Sequence, residues 1–134
     1  MAKKRVLFFV FMIGLLLPLT AMSPYVPVYG GTIWITNDSS YNLFMEFYAE
    51  DFTNDEDMIC VEKQERLPIG HTSYDKENAD PNVYFKHIKI YDMDTGRLLT
   101  DLQVSANTFN LDKGSFTTDS GNAESSFVIT DTLF

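Results

Sequence analysis

In two stretches near the front of this chain every second residue is apolar. In Thr32–Thr36 (T-I-W-I-T) Ile33 and Ile35 point one way and Trp34 the other. In Asn42–Ala49, Leu43, Met45, Phe47 and Ala49 share one face, while Phe44, Glu46 and Tyr48 share the opposite one. A period of two suits a strand with one buried side. From residue 32 onward no segment of twelve or more residues shows the 3.6-residue period of an amphipathic helix.

Turn signals separate the apolar runs. Asn37-Asp38-Ser39-Ser40 is a turn cluster. If the strands beside it form a hairpin, Ile35 faces Leu43 and Trp34 faces Phe44, which requires a loop of odd length. Otherwise the two strands belong to different sheets. Glu50–Asp57 reads as an acidic loop and Met58–Glu62 as a short strand. Leu67-Pro68-Ile69-Gly70 reads as a bend, with Pro68 suited to an edge or a strand end, and His71–Tyr74 as a brief strand. Asp75–Asn82 is a polar loop, and Val83–Asp92 is the longest strand. Asp94-Thr95-Gly96 then turns the chain into Leu98–Val104. The expected register of that hairpin sets Tyr91 opposite Arg97, Ile90 opposite Leu98 and Ile88 opposite Thr100. Thr108–Leu111 and Ser126–Phe134 supply the last strands. Seven or eight short strands with regular turn signals predict an all-β fold, an antiparallel sandwich of two sheets, with a small closed barrel as the alternative.

The first thirty residues have a different character. Lys3, Lys4 and Arg5 precede an apolar run, Val6–Leu17, which ends at Pro18 and is followed by Thr20, Ala21, Met22 and Ser23. A basic stretch, an apolar run and small residues make the pattern of a secretory signal peptide. The run has 12 residues, short of the roughly 20 needed to span a bilayer. The expected organisation is a signal peptide over 1–22, an extended leader over 23–31 and one β domain over 32–134. No stable membrane span is expected once the signal is removed. The destination is secreted or periplasmic. N-terminal sequencing of exported material tests this: a start near residue 22 is expected, and a start at Met1 contradicts it.

Of 134 residues, 10 are basic and 19 acidic, a net charge of −9. The signal segment carries three of the basic residues and none of the acidic ones, so the remainder stands at −12. Phosphate binding needs clustered Lys and Arg, so a nucleic-acid partner is not expected. A single cysteine, Cys60, excludes an intrachain disulfide framework and a thiolate zinc cluster. Flanked by Ile59 and Val61, Cys60 reads as a buried small hydrophobe, or else as one half of an intermolecular disulfide.

Three chemistries present themselves. Trp34, Phe44 and Tyr48 project from one face under the hairpin register, and a row of aromatics can stack on sugar rings or enter a protein partner. Asp51, Asp55 and Asp57 in the acidic loop are candidate calcium ligands, because hard cations take several oxygens from a flexible loop. His71 and Ser73 share a face of one strand, but no nucleophile elbow or oxyanion glycines accompany them. Asn37-Asp38-Ser39 also fits the glycosylation pattern. The expected function is that of an exported, non-enzymatic binding module for a protein or carbohydrate ligand, with no cofactor unless calcium. The alternatives are a calcium-dependent ligand-binding or adhesion module and a small hydrolase.

Overall fold

The two strands with the cleanest alternation lie in different sheets. The computed structural model describes the backbone of residues 25–49 and 53–134, with side chains except those of 53–57. The signal-peptide reading of residues 1–22 lies outside the described residues. Among the described residues eight strands form: β1 (Tyr29–Asp38), β2 (Leu43–Tyr48), β3 (Thr53–Val61), β4 (Arg66–Ser73), β5 (His87–Asp92), β6 (Leu98–Gln103), β7 (Asn110–Lys113) and β8 (Ala123–Thr130). They make two four-stranded sheets, β4-β1-β8-β7 and β3-β2-β5-β6. The sheets face one another and do not close into a barrel. Among the described residues no helix is long and apolar enough to cross a membrane. The one α-helix among the described residues, α1 (Pro81–Tyr84), is a single turn that starts on a proline behind the capping side chain of Asp80.

The chain changes sheets between β1 and β2, β3 and β4, β4 and β5, and β6 and β7. Local hairpins remain only at β2–β3, β5–β6 and β7–β8. The sandwich is therefore not wholly antiparallel, because β1 runs parallel to β8, with Ile33 opposite Ser125 and Ile35 opposite Phe127. Strand β1 starts at Tyr29, inside the expected leader. Gly30 and Gly31 permit this. A Cβ on Gly31 would collide with the Ala123 backbone, and Gly30 has φ +93° with its missing Cβ aimed at the His71 carbonyl.

The core lies between the sheets. Ile33 and Ile35 of β1 and Phe127 and Ile129 of β8 meet Leu43, Met45 and Phe47 of β2 and Ile88 and Ile90 of β5. Phe85 and Phe109, from two of the crossings, fill the space between. Burial of a side chain of this kind stabilises by about 1.5–3 kcal/mol.

Several local expectations change. The β5–β6 hairpin forms, but Tyr91 faces Leu98, Ile90 faces Thr100 and Ile88 faces Leu102. The turn closes with Asp92 N–H donating to the Arg97 carbonyl at 2.8 Å, and Gly96 at φ +77° completes it. Beyond it the register shifts between Ile90 and Tyr91, with Leu99 as the extra residue. The shift gives Ile88 an apolar partner, Leu102, in place of Thr100. Strand β3 begins at Thr53, opposite Tyr48, so the second half of the expected acidic loop is extended chain, and the register shifts before Met58 meets Glu46. Strand β4 runs through Pro68, which an edge strand tolerates because its outer N–H has no partner to lose.

Cys60 is exposed rather than buried. Alternation along β3 turns Val61 inward and Cys60 outward, opposite Phe44. Asn37 is buried at 0% exposure, and its amide is fully committed to the fold, which sets it apart from an accessible glycosylation acceptor.

Candidate functional site

The three aromatics expected on one face lie on opposite sides of the sandwich. Trp34 stands on the outer face of the first sheet, because Ile33 and Ile35 take the inner one. Pro68 and Ser126 lie beside it in register, and the Arg66 guanidinium sits 4.1 Å from its ring centre. Its indole N–H is buried with no partner among the described groups. Phe44 and Tyr48 stand on the outer face of the second sheet, because Leu43, Met45 and Phe47 point inward. The hairpin register that would unite the three does not form.

The outer face of the second sheet has its own order. Strand pairing sets its side chains in rows that cross the strands. The first row is Cys60, Phe44, Tyr91 and Leu98. The second is Met58, Glu46, Lys89 and Asp101. The third contains Tyr48, His87 and Gln103. Neighbouring rows are two residues apart along β2 and β5, about 7 Å, and the extra residue Leu99 separates Leu98 from Asp101 on β6. An apolar row thus lies beside a row whose charges alternate negative, positive, negative.

Hydrogen bonds fix these side chains to one another. Glu46 Oε1 accepts from the Tyr91 hydroxyl at 2.9 Å and from the Tyr48 hydroxyl at 3.1 Å. Burial, followed by the hydrogen bond to Glu46 and its negative charge, pushes the Tyr91 phenol up to about 12. It therefore stays protonated, and donates, across the ordinary pH range. His87 Nδ1 bonds Asp101 Oδ1 at 2.7 Å, and the His87 ring stacks on Tyr48 with centroids 4.4 Å apart. Lys89 Nζ lies 5.3 Å from the Tyr48 ring centre.

At the hairpin end of the apolar row the surface opens into a pocket of about 250 Å³ lined by Phe44, Tyr91, Asp92, Met93 and Gly96. The Phe44 and Tyr91 rings meet at 5.9 Å and 43°. Asp92 is only 7% exposed. Its carboxylate takes the Asp94 N–H at 3.0 Å and the Thr95 hydroxyl at 2.9 Å, so it builds the turn that walls the pocket.

The other sequence candidates fare differently. Asp51, and the side chains of Asp55 and Asp57, lie outside the described residues. Among the described residues no three His, Cys, Asp or Glu side chains converge on a point that could hold a metal ion. His71 and Ser73 have separate partners: His71 Nε2 meets the Asn78 carbonyl at 2.7 Å, and Ser73 Oγ takes the Asp75 N–H at 2.9 Å. Burial lowers the His71 pKa against the opposing effects of the Asn78 carbonyl and Asp80.

Sequence reasoning passed over Glu46, Lys89, Tyr91 and Asp101. A signal for part of the set was present, since alternation along 87–92 places His87, Lys89 and Tyr91 on one face. The pairing of β2 with β5 across some forty residues leaves no local trace. Comparison with protein-family models, with curated proteins and with solved structures finds no match.

Proposed function

We propose that the protein is a non-enzymatic binding module whose working surface is the outer face of the second sheet. One observation carries the reading: an open pocket of about 250 Å³ with Phe44 and Tyr91 in its walls lies beside a row of hydrogen-bonding side chains already held in place. A concave apolar site with a few oriented polar groups is the usual form of a ligand site. Side chains fixed before the ligand arrives lose little entropy when it binds. The basic and apolar pattern of residues 3–23 supports an exported protein working outside the cytoplasm.

A fragment screen by NMR tests the surface without a known ligand. Single-ring aromatic and cyclohexyl compounds are expected to shift the amides of Phe44, Tyr91, Met93 and Gly96 together. Hits gathered around Trp34 on the first sheet, or an absence of hits, would overturn the assignment.

A further inference from the structure

We propose that this face takes a neutral pyranoside, with the C–H face of the sugar on the Phe44–Tyr91 row and its hydroxyl edge on the row of Glu46, Lys89 and Asp101. The inference rests on the reading of that face as the binding surface and adds the ligand's chemistry.

Charge argues for a neutral ligand rich in hydroxyls. The second row presents acceptor, donor and acceptor in register across β2, β5 and β6. An anionic ligand would meet Glu46, Asp92 and Asp101, and a cationic one would meet Lys89. A hydroxyl both donates and accepts, so an edge of several hydroxyls can satisfy both kinds of group. A carboxylate offers roughly four acceptor sites. Two at Glu46 are taken by the Tyr48 and Tyr91 phenols, which hold it in position for a sugar hydroxyl.

Shape points the same way. A pyranose ring is apolar across its faces and polar around its rim, and the two rows are apolar and polar side by side about 7 Å apart. The pocket, about 250 Å³, is smaller than the roughly 300–1,000 Å³ that holds a multi-ring ligand, and it suits one six-membered ring. A polypeptide partner needs about 800 Å² of surface on each side, whereas the apolar strip is one row wide.

The test is a titration of the intact domain with neutral oligosaccharides of glucose, N-acetylglucosamine, mannose, xylose and galactose, followed by NMR and calorimetry. At least one series is expected to shift the amides of Phe44, Glu46, Lys89 and Tyr91. Tyr91→Ala is expected to weaken that sugar by about tenfold or more. Glu46→Gln, which keeps the size of the side chain, is expected to weaken it several-fold. Trp34→Ala, on the opposite sheet, is expected to leave affinity within about twofold. If single-ring fragments bind the pocket and no sugar does, the saccharide inference fails while the binding surface stands. If neither binds there, both fail. Sugar shifts centred on Trp34 would also overturn the proposal.

Discussion

Asn37→Asp is expected to cost on the order of 4 kcal/mol of folding stability at neutral pH, although the two side chains are the same size. Asn37 is buried near the end of β1, and all of its side-chain capacity is used. Nδ2 donates to the Tyr41 carbonyl at 2.8 Å and to the Val61 carbonyl at 2.9 Å. Oδ1 accepts the Ser39 N–H at 3.0 Å and the Ser39 hydroxyl at 2.6 Å. Its backbone N–H donates to the Glu65 carbonyl, and its carbonyl accepts the Gln64 N–H, both at 2.9 Å. One residue of the first sheet thus fastens the β1–β2 turn, the last residue of β3 in the second sheet and the β3–β4 turn. A carboxylate could keep the Ser39 contacts but would face two carbonyl oxygens with no proton to offer. For a domain of this size the loss corresponds to a melting point lower by about 15 °C, measurable by calorimetry.

The pH dependence of that variant is a second readout. Burial against carbonyl oxygens raises the folded-state pKa of the introduced carboxyl above its unfolded value of about 4. The ionic part of the penalty is therefore full above the folded pKa and vanishes below about pH 4, where both states are protonated. The variant should regain stability relative to the parent as pH falls. A loss below about 1 kcal/mol, or one that does not shrink in acid, would show that the amide is not the fastening it is taken to be.

Asn37 also shows where reading the sequence stops. Its turn was legible, because Asn, Asp and Ser cluster between two alternating strands. Its partners were not, because Val61 arrives from the other sheet and Glu65 from the β3–β4 turn. The same division runs through the fold. Alternation in β2 identifies the inward set Leu43, Met45 and Phe47 and the outward set Phe44, Glu46 and Tyr48, and both are found. Alternation does not name the neighbouring strand. The face with Trp34 on it was built on one of two admissible pairings, and the chain takes the other, with β1 and β2 in different sheets.

At two places strand period overrides composition. The apolar neighbours of Cys60 suggest an inside position, yet two inward neighbours on a strand require the residue between them to face out. Acidic composition reads Glu50–Asp57 as a loop, but the chain is extended from Thr53, which pairs with Tyr48. Asp-Thr-Gly marks the β5–β6 hairpin but not its register: the turn closes at Asp92 and Arg97, so Tyr91 meets Leu98, and the bulge at Leu99 then shifts the pairing by one more residue. The candidate site inherits this pattern: each strand's contribution could be read from its own alternation, while the rows that give the face its chemistry exist only through pairing between strands.

Phe109→Ala should lower stability by about 4 kcal/mol, for a reason separate from the Asn37 fastening. Phe109 lies outside any strand, in the crossing from β6 to β7, yet is 1% exposed. Its ring meets Phe127 of the first sheet at 5.6 Å, Phe85 at 6.0 Å and Phe47 of the second sheet at 6.4 Å. It is the aromatic bridge between the two layers. Its backbone is gripped by one side chain: the Phe109 N–H donates to Asn82 Oδ1 at 2.7 Å, and its carbonyl accepts Asn82 Nδ2 at 2.9 Å. That grip ties the β6–β7 crossing to α1, which belongs to the crossing from β4 to β5. Because the backbone is held from outside the core, the chain cannot collapse inward after truncation, and a cavity should remain. A cavity walled by Phe47, Phe85 and Phe127 is apolar and should stay dry. Benzene is then expected to raise the melting temperature of the variant and not that of the parent. Phe109→Leu, which refills most of the volume, should lose only about 1–1.5 kcal/mol. If Phe109→Ala loses less than about 2 kcal/mol and gains nothing from benzene, the crossing has closed over the gap, and the two sheets are held together without the bridge.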